Sequence, residues 1–61
     1  MNNTAKIMDC FKESGDFLTP EQVSEKTNVS INDTKFTIDL AVKKGMLLWS
    51  IFEGTYKING D

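Results

Sequence analysis

Few residues in this chain are able to do chemistry, and they gather in one stretch. Asn32, Lys35, Phe36, Thr37, Lys43 and Lys44 lie close together, and Lys57 follows thirteen positions later. An Asn amide matches the donor and acceptor edge of adenine, and a Thr methyl can touch the methyl of thymine. Lysine ammonium groups neutralise phosphates. The same lysines also have an ordinary reading as solvated surface groups, with Lys43 and Lys44 answering a helix dipole. Asp33 and Asp39 lie among them and lower the local positive charge. Phe36 and Leu40 are four residues apart where polar groups are expected. They read as a contact patch for a protein, for a second copy, or for thymine methyls. The alternative is that they pack under another part of their own chain.

Other chemistries are excluded by composition. The chain has no histidine and one cysteine, Cys10, so neither a Cys-His nucleophile nor a structural zinc site can be built. Cys10 reads as a small, partly buried hydrophobe. No glycine-rich phosphate loop is present, and the carboxylates show no paired spacing. Sixty-one residues form one domain, 1–61. A chain of that size buries about 60% of its unfolded surface, which leaves little room for a pocket beside a core. The expectation is therefore a non-enzyme without cofactor or metal. Seven basic against nine acidic residues give a net charge of −2. Nucleic-acid binders usually carry a basic excess or a basic face, so only a local stripe could serve. No apolar run approaches the ~20 residues of a membrane span, and no signal-peptide pattern opens the chain. The expected location is the cytoplasm, away from membranes.

The elements that must position these residues follow from caps and periodicity. A first helix is expected over about Thr4 to Glu13, capped by Thr4 or Asn3, with Ile7, Met8 and Phe11 on its inner face. Gly15 stops it. Phe17-Leu18 reads as a short extended piece that joins a later sheet. Thr19-Pro20-Glu21-Gln22 is a capping box with proline at the first helical position, and it opens a second helix that ends near Lys26. Thr27-Asn28-Val29 is the turn, with Asn28 able to take a left-handed backbone and Val29 plugging the core. Ser30 caps a third helix, about Ile31 to Lys44, and Gly45 ends it. Its core face is read as Ile31, Thr34, Ile38, Ala41 and Val42. Met46 to Phe52 and Thr55 to Asn59 read as strands. A two-residue Glu53-Gly54 turn would pair Phe52 with Thr55, Ile51 with Tyr56 and Trp49 with Ile58, with Trp49 and Tyr56 in the hairpin core.

Helix, turn, longer helix and hairpin in this order are the plan of an α+β winged helix-turn-helix. The chain resembles the FaeA-like family of small regulators of fimbrial operons. The residues that carry the likeness are Leu18-Thr19, Val29-Ser30, Phe36, Leu40, Lys43-Lys44-Gly45-Met46 and the closing Gly54-Thr55-Tyr56. The resemblance implies a transcription regulator that sets its third helix in the major groove of double-stranded DNA and works beside a larger DNA-binding partner. Where that family has basic residues in its wing, this chain has Phe52-Glu53-Gly54-Thr55. The expected contacts are Asn32, Lys35, Phe36 and Thr37 near bases, with Lys43, Lys44 and Lys57 near phosphates. The competing expectation is a winged-helix adaptor or phage-type modulator that binds a protein, or a second copy weakly, through Phe36 and Leu40.

Overall fold

The computed structural model of the chain describes residues 3–50 and 54–60. Three helices, α1 (Asn3–Ser14), α2 (Pro20–Thr27) and α3 (Ile31–Lys43), precede two antiparallel strands, β1 (Leu47–Trp49) and β2 (Tyr56–Ile58). The expected α+β plan of three helices and a hairpin is what the structure has. Asn3 and Thr4 both lie inside α1 rather than capping it. Gly15 takes a left-handed φ of 64° and its N–H donates to the Phe11 carbonyl, which stops α1 where expected.

The second and third helices are held by their caps. The Thr19 hydroxyl accepts from the Gln22 N–H, and the Gln22 side chain accepts from the Thr19 N–H. The turn between α2 and α3 depends on Asn28, whose φ is 62°. Side chains brace that turn. Ser24 Oγ donates to the Val29 carbonyl at 2.6 Å, Thr27 Oγ1 donates to the Val23 carbonyl, and the Thr34 hydroxyl reaches the Val29 carbonyl at 3.5 Å. Thr34 is fully buried, so its hydroxyl needs that partner. Ser30 accepts from the Asp33 N–H at the start of α3. At the other end the Met46 N–H donates to the Ala41 carbonyl and the Gly45 N–H to the Val42 carbonyl, a Schellman closure that turns the chain into β1.

The core sits where the three helices meet the sheet. Ile7, Met8 and Phe11 from α1, Val23 from α2, Ile38 and Ala41 from α3, and Leu18, Val29 and Leu47 are all buried. Fully burying an aliphatic or Phe side chain is worth about 1.5–3 kcal/mol, so these nine define the fold.

The strands differ from the expected pairing by two residues. Leu47 pairs with Ile58, Leu48 with Lys57 and Trp49 with Tyr56, where Trp49 opposite Ile58 and Ile51 opposite Tyr56 were expected. The Ser50 N–H donates to the Thr55 carbonyl, which continues this register and replaces the Phe52–Thr55 pair. A shift of two keeps every residue on its face, because side chains alternate with period two. It changes which pair lies over the helices. Leu47 takes the buried place, and Trp49 is 60% exposed rather than core. Ile51 and Phe52 of the expected pairs, and Glu53 of the expected Glu53-Gly54 turn, lie outside the described residues. Leu18 forms a bridge to Tyr56, with both N–H groups donating across at 2.8 Å, so the Phe17-Leu18 piece does join the sheet. Asn59 ties the base of the hairpin to the end of α3, its N–H donating to Met46 and its amide Nδ2 to the Gly45 carbonyl.

Candidate nucleic-acid interface

The candidate site is the outer side of α3. A helix turns 100° per residue, so burial of Thr34, Ile38 and Ala41 turns Asn32, Lys35, Phe36, Asp39 and Lys43 toward solvent. All five are exposed, as are Asp33 and Lys44. The first two turns of the helix thus offer one amide, one ammonium and one aromatic ring together. Lys43 and Lys44 form a cationic end about two turns further on. Phe36 is 66% exposed and Leu40 41% exposed, so the pair does not pack under its own chain.

Two expected contacts are displaced. Thr37 is only 8% exposed and cannot present its methyl to a base. Its place on the helix is between Thr34 and Ala41 on the inner edge, where it lines a shallow depression of about 60 Å³ with Thr4, Leu40, Ala41, Lys44 and Met46. A threonine reads as polar in a helical pattern, yet its methyl is at home against that edge. Lys57 is half-buried, with its Nζ 5.6 Å from the centroid of the Phe17 ring. It lies on the sheet face opposite Tyr56 and Ile58, which pack toward the core. Lys57 is therefore engaged by a cation–π contact on the outer sheet face. Phe52 and Glu53, where an acidic wing turn was expected, lie outside the described residues.

Several exposed apolar residues had no place in the sequence reading of the site. Met46 borders the depression beside Leu40, and Leu48 stands across from Lys57 on the outer sheet face. Their signal in the sequence is the run Met46 to Trp49, which is apolar at every position and so must expose one face of its strand. On α1, Cys10 is partly buried against the core, and desolvation pushes its thiol pKa up. Lys26 opposes that shift and Glu13 adds to it. Among the described residues, no group of three His, Cys, Asp or Glu is placed to hold a metal ion, and no helix is long and apolar enough to cross a membrane.

No protein-family model matches the chain, and no curated protein and no solved structure matches it either.

Proposed function

We propose that this chain is a small cytoplasmic DNA-binding transcriptional regulator that lays α3 in the major groove. The observation that carries the reading is the α2–α3 pair. Its turn is braced by three side chains, Ser24, Thr27 and Thr34, and set by the left-handed backbone of Asn28, and the N-terminal half of its second helix is outward-facing with Asn32, Lys35 and Phe36 exposed. Helix-turn-helix proteins read base edges with that part of the second helix. In this arrangement Asn32 reads adenine, Phe36 meets a thymine methyl, and Lys35 contacts a base edge or the adjoining phosphate. Lys43 and Lys44 contact phosphates further along. Lys57 contributes through the wing, once it leaves the Phe17 ring.

The test is fluorescence anisotropy with duplexes from the region around the gene itself. Three phosphate-binding lysines give a slope of log K against log salt of about −3. Removing Lys43 or Lys44 should flatten that slope by about 0.9. Lack of any binding at low salt would end the reading. A second reading is favoured by one observation, the continuous exposure of Phe36, Leu40 and Met46. On that reading α3 holds a protein, and replacing Phe36 weakens binding more than replacing the lysines.

A further inference from the structure

The exposed side of α3 carries a seam that is complementary to itself. Asp33, Phe36, Leu40 and Lys43 are spaced three, four and three residues apart, and all four side chains are exposed. That spacing is the a/d repeat of a helix that packs on another helix. Phe36 and Leu40 lie two residues to either side of Ile38, and Asp33 and Lys43 lie five residues to either side. A two-fold axis at the level of Ile38 therefore sets Phe36 against Leu40 of a second copy and Asp33 against Lys43 of that copy. Each contact occurs twice, as an isologous interface requires. A parallel arrangement would instead oppose Asp33 to Asp33 and Lys43 to Lys43. Met46, exposed beside Leu40, widens the apolar centre.

We infer that the chain forms an antiparallel dimer through α3, with a Phe36–Leu40 centre flanked by Asp33–Lys43 pairs. The interface is one seam of about three turns. It falls at the small end of specific interfaces, so the dimer is weak and dissociates on dilution. It covers Phe36, which is also part of the face proposed to read DNA. The dimer and the DNA complex therefore exclude one another, although the dimer does not depend on the DNA reading being right.

Sedimentation equilibrium without DNA tests the inference, from about 10 μM to 1 mM, a range that brackets weak association. The apparent mass should rise from 6.9 kDa toward twofold as concentration increases. Asp33→Lys alone and Lys43→Asp alone should each hold the chain monomeric across that range, since each places like charges in register. The double variant Asp33→Lys/Lys43→Asp should regain the wild-type mass curve. Circular dichroism on each variant checks that the fold is kept, and Phe36→Ala supplies a second, uncharged disruption. A wild-type chain that stays monomeric at 1 mM would overturn the inference. So would a folded double variant that fails to regain association, or single swaps that leave it intact.

Discussion

Ile38 and Phe36 are two residues apart on one helix, and they should respond to truncation in opposite ways. Ile38 is 1% exposed in the middle of the core, whereas the Phe36 ring is mostly in solvent. A 61-residue domain has a total stability of about 3–9 kcal/mol, at 0.05–0.15 kcal/mol per residue. Ile38→Ala, at about 2–5 kcal/mol, would take most of that and risks unfolding the chain. Ile38→Val is the better probe. Losing one buried methylene costs about 0.5–1.5 kcal/mol. For a domain of this size each kcal/mol lowers Tm by about 4–8 °C, so the expected drop is about 2–12 °C. Phe36→Ala removes far more atoms from an exposed site, where substitutions stay within about 0.5 kcal/mol. The better helix propensity of alanine even offsets part of any loss. Thermal and urea unfolding followed by circular dichroism read both effects. An unchanged Tm for Ile38→Val together with a loss above ~2 kcal/mol for Phe36→Ala would mean that the faces of α3 are reversed.

Asn28→Ala should destabilise by about 1–2 kcal/mol, because a Cβ without a compensating side chain is disfavoured at positive φ, while Asn28→Gly should stay within about 0.5 kcal/mol of wild type; equal Tm values for the two variants would contradict the left-handed turn. Burial raises the Cys10 pKa, so its thiolate forms at higher pH than in an unfolded chain. Alkylation by iodoacetamide, followed by mass spectrometry, should therefore be slower in the folded protein at pH 8 and should accelerate as pH rises; equal rates with and without denaturant would show the thiol to be free of the core.

The parts of the fold that were legible in the sequence are those set by local chemistry. Thr19-Pro20 and Ser30 mark helix starts because a hydroxyl must satisfy the free N–H groups there. Asn28 and Gly45 mark turns because few residues tolerate positive φ. The bridge at Leu18 was also legible from its position between a helix stop and a cap. The strand register was not, because two registers that differ by two residues place the same side chains on the same faces. The choice between them rests on which leucine the end of α3 delivers over the core, and that residue is Leu47. Thr37 was misplaced for a related reason. Helical periodicity puts it at the border of the two faces, and its burial depends on α1 covering that border. The exposed pair Phe36 and Leu40 was legible because an apolar i, i+4 pair opposite a well-formed core face has no partner within the helix itself.

The outer face of α3 as the DNA-contacting surface is tested most directly by mapping backbone amide NMR shifts on adding a short duplex at low salt. Non-specific binding with a Kd of about 10⁻⁴ to 10⁻⁶ M is populated at NMR concentrations, so the operator need not be known. The amides of Asn32, Lys35, Phe36, Lys43 and Lys44 should move together and return as salt is raised, while those of α1 near Cys10 stay still. Shifts confined to α1 and α2, or no shifts at all, would contradict the proposal.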